Sequence, residues 1–300
     1  MVKKVVSEVS GIVFSLPWLV ARDEGLFAEE GLEVELVRAR IRQQSSDRPL
    51  EDHRQVESIG GHVVFEEGQV ELYRACEWGQ IRRAYDSERG GQIVGKRAAV
   101  AVMALYTSPN SAITHPQDLR NKPVGVNFHA GSHYSAIQML EGFLERSEIK
   151  VVHIGGPQQR YEAMMNGEIA AAALMEPWNT LADKNGCQMI IETHYVGSEI
   201  GAEALDPETF EALNRAVKKA VRLINADKRK YVHYMIDDLP EEYAKQISPE
   251  DFHLPRLRYV DPVPYLEEEF EKTFNWMVDW GLIGPDTTFE QLVDNRISVG

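Results

Sequence analysis

Four consecutive residues, Arg74-Ala75-Cys76-Glu77, set a guanidinium, a thiol and a carboxylate side by side. Cys76 follows a run that reads as a strand, Gln69 to Tyr73, and precedes one that reads as a helix from Trp78. A cysteine at a helix N-terminus meets free backbone N–H groups and the positive end of the helix dipole. Both favour the thiolate, and Arg74 two positions away favours it further. Glu77 opposes it by like charge unless it serves as acid or base itself. With His62 nearby the set suffices for nucleophilic attack with proton transfer: Cys76 as nucleophile or acid, His62 or Glu77 as proton carrier, Arg74 as anion holder. The plain alternative is that Cys76 is a small buried residue at a strand end. Cys187, opening the apolar run to Met189-Ile190-Ile191, reads as core.

Gly131-Ser132-His133, at the head of a strongly helical stretch, is the best candidate for holding an anion. Free N–H groups there, with the Ser132 hydroxyl as a further donor, suit a carboxylate, sulfinate or sulfonate. An ordinary N-cap by Ser132 would use the same groups without a ligand. His129 and His133 stand four apart, but the helix begins between them and no third ligand is spaced nearby, so no metal is expected. Trp18 and Glu176-Pro177-Trp178 fall at strand-to-helix turns. The rings could stack on a planar ligand and Glu176 could accept from a ligand donor, or the tryptophans could be packing. His194, beside Tyr195, could reach the same space or serve only as a hinge. The other histidines form no constellation, and no lysine is placed for a Schiff base, so no cofactor is expected.

The elements that must position these residues alternate in the α/β manner. Val2–Val9 and Leu32–Val37 read as strands around a helix over Pro17–Glu29. Residues 41–61 read as a polar loop, Val63-Val64-Phe65 as a strand piece, Trp78–Arg89 as a helix and Ala98–Tyr106 as a buried strand. In the middle third, strands at 123–127, 151–154, 169–174 and 187–191 alternate with helices at 132–145, 158–166 and 177–185. The last third is mainly helical: 207–225, 228–236, 240–246 and 264–280.

Composition bounds the function. The 300 residues carry 32 Lys+Arg against 47 Asp+Glu, a net charge of −15, with 43% apolar residues. That is length for two lobes or one large domain. The acid excess argues against nucleic acid, which needs clustered cations, and more weakly against an anionic membrane surface. Two cysteines cannot make a disulfide framework. The first ten residues lack the apolar stretch of a secretory signal, and no window reaches the roughly 18 apolar residues of a membrane span. If the numbering starts at the native start codon, a cytoplasmic location is expected.

Five segments carry a resemblance: Leu16–Val34, Asp118–Val126, Ala130–Tyr134, Asn166–Trp178 and Trp276–Ile283. Together they resemble the solute-binding proteins for sulfonates, nitrate and taurine, in a superfamily that includes the thiamine pyrimidine precursor synthases. The resemblance implies a two-lobed type 2 periplasmic binding protein fold, with residues 1–106 and 194–300 as one lobe and 107–193 as the other. The chain would cross between them near Tyr106 and near Thr193, with a ligand cleft in between. The synthases' cysteine-rich CCCFC motif is missing, which disfavours that activity.

The stretch His62–Glu77 is also similar to one in the biphenyl sulfinate desulfinases, where a histidine, an arginine and a glycine frame the sulfinate. His62 and Arg74 would match the first two, and Cys76 would stand at the glycine. The desulfinase nucleophile is a cysteine after the first strand, where this chain has Phe14-Ser15-Leu16-Pro17. Two readings follow. The first is a cofactor-independent lyase or hydrolase, desulfinase- or decarboxylase-like, acting through Cys76 on a small anionic, aromatic substrate. The second is a non-catalytic binding protein or ligand sensor, with an ABC permease as partner only if it serves uptake.

Overall fold

The computed structural model describes residues 2–39, 49–56 and 60–297. Its strands are β1 (Lys3–Glu8), β2 (Leu32–Val37), β3 (Leu72–Cys76), β4 (Gln92–Thr107), β5 (Val124–Val126), β6 (Val151–His153), β7 (Ala171–Leu174), β8 (Gln188–Gly201) and β9 (Arg258–Tyr259). The helices are α1 (Ile12–Asp23), α2 (Leu26–Glu29), α3 (Gly60–Glu66), α4 (Glu77–Asp86), α5 (Gly131–Glu141), α6 (Pro157–Met165) and α7 (Trp178–Lys184). After β8 come α8 (Pro207–Ala226), α9 (Lys228–Tyr231), α10 (His233–Ile236), α11 (Glu241–Ala244), α12 (Glu267–Asp279) and α13 (Phe289–Leu292).

The strands form one mixed sheet in the order β2-β1-β3-β8-β4-β7-β5-β6, with β9 added to β4. β1, β2 and β3 are parallel, as are β5, β6 and β7. The long antiparallel pair β4 and β8 joins the two sets, β3 lying on β8 and β7 on β4. Cys76, the last residue of β3, pairs with Gly197, and Leu174, the last of β7, pairs with Ala104. The two sets therefore run toward each other, and their carboxyl ends meet over the middle of β4 and β8. Side chains alternate faces along a strand. Accordingly Ile93, Ala101, Met103, Leu105, Ala171 and Ala173 join one apolar cluster, and Val94, Ala104, Tyr106, Ala172 and Leu174 the other. Each face of the sheet thus has its own core, one built with α1 and α8, the other with α4, α5 and α12.

Local chemistry explains the boundaries and the departures from expectation. α8 starts at an Asp206 N-cap whose carboxylate accepts from Thr209 N, with Pro207 at the first helical position. α1 begins at Ile12 rather than Pro17, and the proline lies inside it. Burial of nearly every residue from Ile12 to Ala21 outweighs the missing N–H. Val63-Val64-Phe65, read as a strand, belongs to α3: His62, Val64 and Phe65 are buried on one side while Val63 is 41% exposed, a helical distribution that overrides β propensity. Most of the loop expected over 41–61 lies outside the described residues.

β4 starts earlier than expected and carries the irregularity that matters most. Lys96 pairs with Ser198 and Val100 with Val196, so residues 97–99 bulge opposite the single residue Gly197. β9 pairs onto Ala99 and Val100 at the same place. A Cβ on Gly197 would collide with the Ala75 carbonyl oxygen and stand 2.6 Å from Arg97 Cζ. Because one obstacle is backbone, Gly197→Ala must push β8 off β3. We expect urea unfolding to show a loss of about 2 kcal/mol or more.

Candidate functional site

The meeting point of the strand ends is also where helices begin. α1, α4, α5, α6 and α7 follow β1, β3, β5, β6 and β7, and none of their N-cap residues supplies a side-chain hydrogen bond. In open α/β sheets ligands bind outside the carboxyl ends of the strands, where helix N–H groups point at them.

Arg97 rises from the bulge into this space. It is wholly buried, and its guanidinium lies 4.0 Å from the Phe14 ring centroid and 5.2 Å from that of Tyr195. Nε donates to Ala99 O at 3.0 Å, while Nη1 and Nη2 have no acceptor in bonding geometry. Burial lowers its pKa, and among the described residues it forms no ion pair. The Tyr195 hydroxyl, likewise buried and pushed up to about 12 mainly by desolvation, faces the guanidinium. Trp78 packs between Tyr134 and Tyr195 at centroid distances of 5.9 and 5.3 Å, and its indole N–H is buried without a partner. Gly131, the first residue of α5, closes the group. A Cβ there would meet the Tyr195 hydroxyl at 2.5 Å and Cys76 Cβ at 3.3 Å.

Cys76 belongs to this cluster, as the N-cap of α4. The expected thiolate is not favoured, because burial pushes the thiol's pKa up against the opposing pull of Arg83, the Gly79 N–H and Arg97. The expected proton carriers are not assembled around it. His62 Nδ1 is 2.9 Å from the Tyr73 hydroxyl, and burial lowers its pKa to about 4. Glu77 points to α12, accepting from Thr273 Oγ1, and burial raises it to about 7. Among the described residues no hydrogen bond joins Cys76 to either.

Arg74 is no free anion holder. Its Nε donates to Glu199 at 3.0 Å, Nη1 to Glu8 O and Nη2 to Ser7 Oγ, and the guanidinium stacks 4.1 Å above Trp18. Trp18 and Trp178 are packing residues, Trp178 lying against Tyr161 and Tyr243. Ser132 is not the N-cap of α5, which is Ala130; its Oγ accepts from Asn127 N and ties the preceding loop. His133 is buried against Phe128 and Tyr134. His194 is exposed, since alternation along β8 turns its neighbour Tyr195 inward instead. Glu176 is buried: Oε2 accepts from Thr180 N and Oγ1, Oε1 lies 4.0 Å from Arg256 Nη1 without a hydrogen bond, and burial raises its pKa to about 7. The residues the sequence reading missed are Phe14, Trp78, Arg97, Tyr134 and Tyr195. The signal for Arg97 was Lys96-Arg97 interrupting an otherwise apolar run from Ile93 to Leu105.

Arg74 and Arg97 make opposite stability predictions. Arg74→Met strands the buried Glu199 carboxylate and should cost about 3–5 kcal/mol, whereas Arg97→Met removes an uncompensated buried cation and should raise the unliganded protein's melting temperature. Thermal unfolding of the two variants checks both. Glu77 is charged less readily in the fold than in the unfolded chain, so it erodes stability as pH climbs from about 4.5 to about 7. Glu77→Gln should therefore be more stable than the parent at pH 8, by a margin that shrinks to nearly nothing at pH 4.5 in the same assay.

No family model and no curated protein matches the chain. Solved structures do match it, at low identity. A Candida albicans gene product described as having the generic periplasmic binding protein structural fold superposes with a TM-score of 0.70 at 13% identity, covering 100% of this chain and 99% of that one. The aliphatic sulphonate binding protein SsuA from Escherichia coli gives 0.68 at 12%, covering 99% and 93%. The desulfurization enzyme DszB gives 0.61 at 13%, covering 98% and 96%. Binding proteins and an enzyme thus share one architecture with this chain over nearly its whole length, which has the periplasmic-binding-protein fold.

Proposed function

We propose that the chain binds a small organic anion where the strand ends meet, with Arg97 as its anchor. The observation that carries this is a fully buried guanidinium with no carboxylate partner among the described residues, set against the Phe14 ring and beside the Tyr195 hydroxyl. A buried cation without a counter-ion is costly, and an anion bound in the same dry space offsets that cost through charge-assisted hydrogen bonds. Phe14, Trp78, Tyr134 and Tyr195 suit a flat, aromatic body beside the charge. In this proposal residues 1–106 with 194–300 and residues 107–193 are two lobes hinged on β4 and β8, opening to admit the ligand. The sulfonates and sulfinates of the structural neighbours support a small anionic ligand without deciding its identity.

The second reading, cleavage of a bond next to the anionic group, is favoured by one contact: Cys76 stands beside Gly131 and within the field of Arg97. It needs a proton carrier other than His62 and Glu77, for which Glu176 or the Tyr195 hydroxyl is available.

Calorimetric titration with aryl sulfinates, sulfonates and carboxylates, combined with product analysis, separates the readings. Arg97→Met should weaken binding at least about tenfold, and Cys76→Ser should leave it unchanged. Turnover that Cys76→Ser abolishes would establish the enzyme. Binding untouched by Arg97→Met would sink the site itself.

A further inference from the structure

We infer that the cleft selects an organic dianion, a phosphate monoester or a dicarboxylate, over a singly charged sulfonate. The inference rests on the binding reading above and extends it from Arg97 to two further cations. Arg83, Arg97 and Arg160 are 2%, 0% and 3% exposed. Arg83 donates to Gln80 Oε1 and His129 O, Arg97 to Ala99 O, and Arg160 to Ala173 O and Gly155 O. Every one of these acceptors is neutral, and among the described residues none of the three arginines forms an ion pair with a carboxylate. Elsewhere in the same chain buried arginines are neutralised: Arg74 by Glu199, Arg256 by Asp183 and Glu192, Arg296 by Asp294. With 47 acidic residues available, scarcity of carboxylates does not explain the difference.

Arg83 and Arg97 flank one spot. A Cβ on Gly79 would stand 2.6 Å from Arg83 Nη1 and 2.9 Å from Cys76 Sγ, and one on Gly131 would meet Cys76 Cβ and the Tyr195 hydroxyl, beside whose ring Arg97 lies at 5.2 Å. Arg160 acts on Tyr195 as Arg97 does. Arg83 comes from α4, Arg97 from the β4 bulge and Arg160 from α6, so they approach from both parallel sets of strands. Of the buried carboxyls that share the field of Arg97, Glu199 gives Oε1 to Arg74 and Glu77 accepts from Thr273, and neither hydrogen-bonds Arg97. Against three unpaired buried cations a singly charged head group leaves two uncompensated and a doubly charged one leaves one, so the dianion removes more of the burial cost. Arg83 also has a buried, unpartnered Nε in this region.

The test compares head groups on a constant body. Phenyl phosphate, phthalate, benzenesulfonate and benzoate are titrated calorimetrically into the full chain at pH 7.5, and methyl phosphate against methanesulfonate removes the ring. The phosphates and phthalate should bind about tenfold or more tightly than their singly charged counterparts, and Arg160→Met should narrow that gap by weakening the dianions more. Benzenesulfonate or methanesulfonate binding as tightly as the matched phosphate and phthalate in the parent protein overturns the dianion inference and leaves the Arg97 site standing. If no member of the series binds, both fall. The parent comparison alone decides, so a variant that fails to fold does not spare the inference. Should phosphates bind tightly and phthalate not, the class narrows to phosphate monoesters.

Discussion

The charge of Arg97 inside the protein is the constraint around which the rest of the junction is arranged. On a regular strand a buried guanidinium needs a carboxylate across from it, as Arg74 on β3 has in Glu199; Arg97 has none among the described residues. Here the bulge at residues 97–99, with Gly197 opposite, leaves both the slack and the missing Cβ that let the side chain lie across β8. The short strand β9 pairs with the carboxyl end of that bulge, and Ala99 O holds Nε. The Phe14 and Tyr195 rings then lie 4.0 and 5.2 Å from the guanidinium, and no carboxylate among the described residues pairs with it. That combination of a fixed head and an unpaired charge is what recognition of an anion needs, because the donors are aimed before the ligand arrives.

The sheet supplies the converse requirement, a place where several N–H-bearing ends converge. Two parallel sets that run toward each other bring five helix starts to the same junction from opposite sides. Net charge then sharpens the effect. A chain at −15 repels anions at long range, so any attraction must be local and sheltered from solvent. Burying cations beside helix N-termini meets that condition, and tying Arg74 to Glu199 keeps a neighbouring guanidinium from adding to it.

Periodicity and turn chemistry made most strands and helices legible, with α3 read as a strand and β9 not anticipated, and the resemblance pointed to the fold. The site residues were harder, and the particular failures are instructive. Arg74 and Arg97 look alike in sequence: each is a cation near an apolar run. They differ in what the register puts across from them, Glu199 on β8 for Arg74 and Gly197 for Arg97. Register is a tertiary property with no local signature when the paired strands are some hundred residues apart. The same blindness exchanged His194 for Tyr195, since one step along β8 reverses the face. The place of Cys76 at a strand end running into a helix start was legible because that signal is local. Its protonation was misjudged because desolvation depends on what packs over it, namely Gly131 and Tyr195 from segments far along the chain.

That desolvation bears on whether Cys76 can do chemistry. Burial is the largest influence on the thiol and acts against the thiolate, while Arg83, the Gly79 N–H and Arg97 act for it. If the lobes open as proposed, solvent would remove the burial penalty while the Gly79 N–H, on the helix that Cys76 caps, would stay beside the thiol. An anion seated on Arg97 would shift the balance the other way, since it would cancel a cation that favours the thiolate. A cysteine so placed would be least reactive with the ligand held. For a binding protein this protects the thiol. For an enzyme it would require proton removal by a group that enters with the ligand or stands opposite the thiol, since among the described residues neither His62 nor Glu77 is hydrogen-bonded to Cys76.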